Sequence, residues 1–403
     1  MNIILHDQPQ TAGQLLPFTY TRPISEIRVG ILKISEKWKH YLDSDISYHT
    51  HHTQDYLQDK YPLISADENL VINAAACPSE TLCAELIALP VGSALFSGAT
   101  FLGASTNRAG LSDIWNEDFS ALEKVEFEDE VMTIEQPWHI FQKNGQAIRD
   151  DFDLLTKGRK SAAINDPHSV VYGEKNVFIE EGVSIKGAII NAEEGPVYLG
   201  KNSKIHEGAL IKGPLALCEG AQINMGAKLR GDNTIGPYSK VGGEVSNSVI
   251  FGYSNKSHDG FLGNSVLGEW CNIGADTNTS NLKNNYTPIK LWSFAKGRFV
   301  DTGLQFCGLM MGDHSKAGIN TMFNTGTVVG VGSNIFGHGF PRTFIPSFAW
   351  GGASGFVTFK LPKMVEVAEA VLARREKKLT NADHAILTHI FEDTARYRNW
   401  EDA

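Results

Sequence analysis

Between Leu199 and Val241 every sixth residue is aliphatic: Leu199, Ile205, Ile211, Leu217, Ile223, Leu229, Ile235 and Val241. A period of six fits neither the 3.6-residue helix nor the two-residue strand. It fits a coil with three flat faces. Each six-residue segment then gives one short strand and one corner, and the aliphatic side chain turns inward onto its counterpart in the next coil. The spacing returns at Phe261, Leu267 and Ile273, and again at Met311, Ala317, Phe323, Val329 and Ile335. Less regular coils lead in at Ile179 and Ile185, and residues 279–302 interrupt the stack with a long loop of the kind that carries function on a rigid scaffold. Beyond the last coil, Met364, Val367, Ala368, Val371 and Leu372 have helical spacing over 363–375, and a second helix is predicted over 381–396. The two are expected to cap the open end of the solenoid, whose last coil would otherwise expose an unpaired edge.

The first part of the chain reads differently. Apolar runs at 3–5 and 69–73 predict strands and residues 82–89 a short helix, an alternation that points to an α/β sheet in the doubly wound style. Only 8 of the 39 glycines precede residue 160. Residues 156–168 (TKGRKSAAINDPH) are polar and without periodicity, so they read as a linker. The division expected is therefore 1–160, 165–360 for the solenoid and 361–403 for the helices, with 165–403 able to fold alone. His49, His51 and His52 have no acidic partner at ligand spacing and read as a solvated loop.

Formal net charge is −10 over 403 residues. No Lys/Arg cluster appears, which argues against a nucleic-acid binder. The first ten residues, MNIILHDQPQ, have no basic stretch leading into an apolar one, and no run approaches a membrane span, so a cytoplasmic location is expected. Cys77, Cys83, Cys218, Cys271 and Cys307 are scattered and odd in number; reduced, buried thiols are the reading.

The densest polar constellation is Tyr253-Ser-Asn-Lys-Ser-His258-Asp-Gly-Phe-Leu-Gly-Asn264, followed by Asn272-Ile-Gly-Ala-Asp-Thr-Asn-Thr-Ser-Asn281. A histidine in such company has the makings of a general base. The lysine and asparagines beside it make phosphate-binding neighbours. A zinc site would need three converging histidines; His206, His258, His314 and His338 show no close ligand pairing, and no metal ligands are assigned.

These strings resemble the acetyltransferase site of the bifunctional glucosamine-1-phosphate acetyltransferases/N-acetylglucosamine-1-phosphate uridyltransferases. That family has a histidine before an x-x-aromatic-Leu-Gly motif and then Gly-Ala-Gly-Thr-x-Thr-x-Asn. The histidine falls on His258, the aromatic on Phe261 in place of tyrosine, and the asparagine on Asn281; Asp276 replaces a glycine. Phe-Thr-Tyr-Thr-Arg-Pro-Ile-Ser-Glu from Phe18, Val-Gly-Gly-Glu-Val-Ser-Asn-Ser from Val241 and Gly-Asp-His-Ser-Lys-Ala-Gly from Gly312 extend the resemblance, to the Bacteroidetes-type form, over nearly the whole chain.

The resemblance implies an α/β nucleotidyltransferase-like domain followed by a left-handed parallel β-helix with C-terminal helices. It implies a transferase that moves acetyl from acetyl-CoA to glucosamine 1-phosphate, assembled as a homotrimer, with uridylyl transfer from UTP as a second activity. His258 is then the base, and Lys240, Lys256, Phe261, Asn281, Lys283 and Asn285 bind substrate. In the first domain the Gly-rich nucleotide loop is missing; the corresponding stretch runs from Gln14 to Arg22, with Arg28 and Lys37 near the family's phosphate-binding lysines. The Gly-Asp whose carboxylate would hold Mg²⁺ falls on Val71-Ile72-Asn73-Ala74-Ala75-Ala76, and three alanines offer a hard cation nothing, which leaves Asp67 or another acid as the substitute. A non-catalytic sugar-nucleotide-binding protein on the same scaffold is the alternative.

Overall fold

The structure, a computed structural model, describes residues 2–42, 49–164 and 166–400. Two compact units form: Met1–Leu15, Thr21–Ile27 and Leu32–Gln136 make the first, and Leu16–Tyr20, Arg28–Ile31 and Pro137–Ala403 the second.

In the first unit six strands, β1 (Asn2–His6), β2 (His49–His52), β3 (Glu68–Asn73), β4 (Ser93–Ser97), β5 (Thr100–Asn107) and β6 (Glu123–Glu126), form one sheet in the order β2-β1-β3-β5-β4-β6. Helices α1 (Pro9–Gln14), α2 (Ile34–Tyr41), α3 (Glu80–Ala88) and α4 (Leu111–Trp115) accompany it. The strands and the α3 helix read from the sequence are present. β1 is buried along its whole length, as an apolar run covered on both faces requires. The sheet is not uniformly parallel: β5 runs against both β3 and β4. Its partner β4 is only a tight turn away, which permits an antiparallel return.

The histidine cluster is not a solvated loop. Those residues form β2, parallel to β1. His51 Nδ1 lies 3.0 Å from Ser25 Oγ. His52 stacks on Trp115 with ring centroids 3.8 Å apart, and its Nδ1 lies 2.8 Å from that of buried His6. Burial, then the neighbouring His52, pulls His6 down to about 3; burial pulls His52 down to about 4. Beside them burial pushes Asp7 up to about 7, although Thr53 and the Ile24 N–H donate to it.

The two imidazoles have folded pKa values below their unfolded ones, so as pH falls through 6.5 the unfolded chain takes their protons first and stability drops. Asp7 acts the other way, taking its proton in the folded state first. Two sites outweigh one, and each unmatched proton is worth about 1.4 kcal/mol per pH unit. We expect the Tm of this unit to fall between pH 7 and 4.5. The fall should be smaller in His52→Phe, which keeps the Trp115 stack, and steeper in Asp7→Asn; equal slopes in all three would show that these groups do not set it.

In the second unit α5 (Pro137–Gln142) and α6 (Asn144–Thr156) precede the solenoid. Residues 137–160, grouped with the first region on composition, thus pack with the second unit. The stretch read as linker is tied down as well: Ala162 N–H donates to Ile179 O, and Arg159 pairs with Glu180 at 2.7 Å.

The solenoid has three parallel faces. The first carries six strands from Val170–Tyr172 to Phe261–Gly263, the second nine from Val177–Ile179 to Phe344–Ile345, and the third begins at Ser184–Ile185 and contains ten. Inward-facing residues stack in register. On the second face the column runs Ile179, Leu199, Leu217, Ile235, Ile250, Leu267, Met311, Val329, Ile345. On the first face it runs Val171, Ile190, Ile211, Leu229, Val245, Leu262. The hexad spacing predicted Phe261 as the inward residue there, but Leu262 is. The register slips because the step from Leu262 to Leu267 takes five residues instead of six; the corner from Val241 to Val245 is shorter still, at four residues where Ile205 to Ile211 and Ile223 to Leu229 take six.

The interruption is ordered. It contains an antiparallel hairpin, Lys290–Ser293 with Arg298–Asp301, and Trp292 stacks on Phe344 at 4.2 Å. The C-terminal helices α7 (Leu361–Ala373) and α8 (Asn381–Asp393) are present, but they are not what pairs the last edge. The strand Gly355–Thr358 returns antiparallel onto Ala349–Gly352 and does that. α7 leads along the solenoid's flank instead: Arg375, just past it, donates to Tyr238 O, and Lys377 lies 5.2 Å from the centre of the Tyr253 ring. No helix among the described residues is long and apolar enough to cross a membrane.

Candidate active site

One corner of the solenoid, between the third and first faces, carries His206, Met225, Gly243, His258 and Asp276 on successive coils. These residues, with Asn224, Gly242, Ser257, Asp259 and Ala275, line a cleft of about 690 Å³. The shortened corner explains the cleft. With two residues fewer at Gly242-Gly243, that coil recedes, and a notch is left between the Met225 corner and the His258 corner. The compression needs glycine: a Cβ on Gly242 would strike Ser257 O, and Gly243, at φ +66°, lies 2.9 Å by the same measure from His258 O.

His258 is exposed at this notch. Its ring makes no hydrogen bond among the described residues, which leaves both nitrogens available to a ligand. Asp276 stands at φ 55°, a left-handed position where aspartate is among the few alternatives to glycine. An aspartate here therefore preserves the turn while adding a carboxylate. Its N–H donates to Asp259 O at 3.0 Å, joining the two corners.

Lys256 occupies a position its charge does not suggest. In the third face it stands opposite Val241, in the inward column that otherwise holds Ile185, Ile205, Ile223, Ile273, Ala317 and Ile335. It is 1% exposed, and its Nζ donates to His258 O at 2.6 Å. Burial lowers Lys256 to about 8, against the pull of Asp259 and Asp276. The stem replaces an isoleucine in the core, and the ammonium fastens the corner that bears His258. Lysine stems fill apolar space well provided the head finds an acceptor.

The remaining sequence-derived candidates do not form one cluster. Phe261 folds its ring against Gly263, and Asn281 Nδ2 donates to Asn264 Oδ1 at 2.8 Å on the next coil. Lys283 donates to Pro288 O, and Asn285 accepts from Thr287; both hold the start of the excursion. Lys240 lines a different cavity altogether. Arg22, Arg28 and Lys37 are all buried. Arg28 donates to the carbonyls of Phe251 and Ile31.

At the end of β3, Asn73 Oδ1 accepts from Ala75 N–H and its Nδ2 donates to Phe101 O. Ala74, Ala75 and Ala76 are buried, and Asp67 lies exposed at the strand's other end. This donor set does not fit Mg²⁺, which wants anionic oxygens. Among the described residues no group of three His, Cys, Asp or Glu side chains could hold a metal ion. The lining residues Asn224 and Met225 escape a search by motif; counting coils, which brings every corner into line, is the signal that finds them.

Residues 3–160 match the sugar nucleotidyl transferase family model. The chain is 36% identical over 87 residues to the bifunctional protein GlmU of Methanocaldococcus jannaschii, 22% of this chain and 21% of that one. It is 32% identical over 100 residues to a bifunctional sugar-1-phosphate nucleotidylyltransferase/acetyltransferase of Sulfurisphaera tokodaii, 24% of each. The match thus spans between a fifth and a quarter of the length of these relatives. Among solved structures, the polySia specific acetyltransferase NeuO aligns at 15% identity and TM-score 0.27, over 48% of this chain and 83% of that one. LpxA, a UDP-N-acetylglucosamine acyltransferase from Bacteroides fragilis, aligns at 13% and 0.23, over 56% and 96%.

Proposed function

We propose that this GlmU-like chain, a sugar nucleotidyl transferase domain joined to a hexapeptide-repeat solenoid, transfers acetyl from acetyl-CoA to the amine of glucosamine 1-phosphate, with His258 as general base. The observation that carries the reading is an unbonded imidazole at the mouth of the corner cleft, held there from behind by Lys256. The neutral amine attacks the thioester carbonyl carbon while His258 takes the amine proton. The tetrahedral intermediate then expels the CoA thiolate, which recovers the proton from His258. Backbone N–H groups of neighbouring corners are suited to the oxyanion. In this reading Phe261 and Asn281 border the acceptor outside the residues that line the cleft, with Lys283 and Asn285 on the excursion beyond them.

We further propose that the chain works as a cytoplasmic homotrimer. The exposed Met225, Ile319 and Phe336 on the solenoid support an apolar contact between copies; light scattering returning a stable monomer would sink it. No uridylyl-transfer step is routed through the first unit, because its β3 end does not suit the metal. That mismatch favours, for this unit, the reading of a sugar-nucleotide-binding module. A thiol-release assay with glucosamine 1-phosphate and acetyl-CoA tests the main reading, and adding UTP and Mg²⁺ with detection of pyrophosphate tests the second. CoA release independent of the amino sugar would refute acetyl transfer to it.

Lys256→Met separates positioning from chemistry. Methionine fills the column without a buried charge, so Tm at neutral pH should hold or rise. Burial disfavours the charged lysine in the fold, and this cost is relieved as pH rises from about 8 toward the unfolded value of 10.5, so any advantage of methionine should shrink over that window. With its corner loosened, His258 should lose about tenfold in kcat while KM for acetyl-CoA stays put. An unchanged kcat would remove Lys256 from the account of the site.

A further inference from the structure

A second cavity of about 510 Å³ opens on the third face, beside α7. Its floor is the outward ladder of that face, where Lys240, Asn255, Asn272 and Lys316 stand opposite one another on consecutive coils. Arg374 and Arg375, at the end of α7, form one wall. Tyr253 and Trp270 form another, stacked 4.4 Å apart on the solenoid corner. Tyr238 covers the far face of Tyr253, and His314 that of Trp270. Rings packed in this way offer a ligand their edges, which carry the positive end of the aromatic quadrupole.

None of the described lining residues is acidic. In a chain of formal net charge −10, four cations and two amides around one cavity without a carboxylate form a site and not a sample of the surface. Arg375 is anchored by its bond to Tyr238 O, so the wall is fixed rather than borne on a loose end. Lys316 is directed onto the carbonyls of Trp270 and His314, at 3.4 and 3.3 Å. Burial lowers its pKa, a cost that a bound anion would offset.

We infer that this cavity binds a ligand carrying adjacent phosphoryl groups, at a site separate from the His258 cleft. Two positive side chains from the ladder and two from the helix suit a polyphosphate, and the volume leaves room for an organic body beyond it. Arginine forks and lysine points are the usual partners of such oxygens.

The test is calorimetric titration of the full chain with sodium pyrophosphate. Saturable binding is expected, weakened roughly ten- to a hundredfold in Lys240→Gln and in Arg374→Gln, since a charge-assisted bond is lost in each. Arg374 is exposed, so its variant will fold, and Arg374→Lys should recover part of the affinity. His258→Ala should bind as the wild type does. Coenzyme A and UDP then serve as competitors, and whichever displaces pyrophosphate identifies the source of the phosphoryl groups. Absence of saturable binding, equal affinity in the Lys240→Gln and Arg374→Gln variants and the wild type, or failure of both competitors overturns the inference.

Discussion

Replacing His258 with alanine is expected to lower kcat for acetyl transfer by roughly a hundredfold to ten-thousandfold, since a general base acts mainly in the transition state. Acetyl-CoA affinity should hardly change. The structure sharpens the control, because an exposed imidazole without a hydrogen-bonded ring contributes little to stability and the Tm of the variant should match the wild type. A structural histidine would give the opposite pair of results, a lower Tm with turnover preserved in whatever stayed folded. Melting temperature and single-turnover rate measured on one preparation separate the two. Near-normal turnover in well-folded protein rules out the catalytic role.

Truncation to residues 165–403 is expected to cost the solenoid its solubility or its cooperative unfolding. This reverses the expectation drawn from composition, and the reason lies in side chains of the second face. Thr234 Oγ1 donates to Gly30 O at 2.9 Å and also pairs with Asn144 Oδ1 at 3.0 Å. Phe251 packs on Phe18 with ring centroids 5.3 Å apart, and its carbonyl accepts from Arg28. Cutting at 165 removes Phe18, Arg28, Gly30 and Asn144 together. It exposes Phe251 and Cys218 and leaves buried polar atoms without their bonds, at about 1–3 kcal/mol for each group that remains shielded from water. A fragment beginning at 137 restores only Asn144 and should recover part of the loss. Hydrogen exchange over the second-face strands measures it, and equal protection in the 165–403 fragment and the full chain would refute the claim.

The solenoid could be read from the sequence because six-residue spacing is a direct projection of its cross-section onto the chain, and eight regular corners left no competing period. Strands β1 and β3 of the first sheet were legible for a similar reason, as short apolar runs, but β2, β4, β5 and β6 were not, nor was the direction of β5. Strand direction depends on connections and packing that no local pattern records. His258 was singled out through its company, whereas Lys256 was misplaced by its chemistry. A lysine between polar neighbours looks solvent-facing until the coils are counted, and only then does it fall in the isoleucine column. Lys240 and Lys316 are 76 residues apart, so the second cavity exists only once the intervening excursion is folded out of the stack.

The short corner at Gly242-Gly243 can also be regarded as a vacancy in a one-dimensional crystal. Each coil copies the outline of the last, so a ridge continues unless a unit cell is defective, and here the defect itself is the cleft. A cleft of this kind is vulnerable to repair. Inserting two small residues after Gly243 would restore the repeat without altering any side chain assigned a chemical role. Such a protein should be no less well ordered, with its notch filled by its own backbone. An architecture built on repetition thus keeps its cleft by an error of register, and perfecting the lattice would close it.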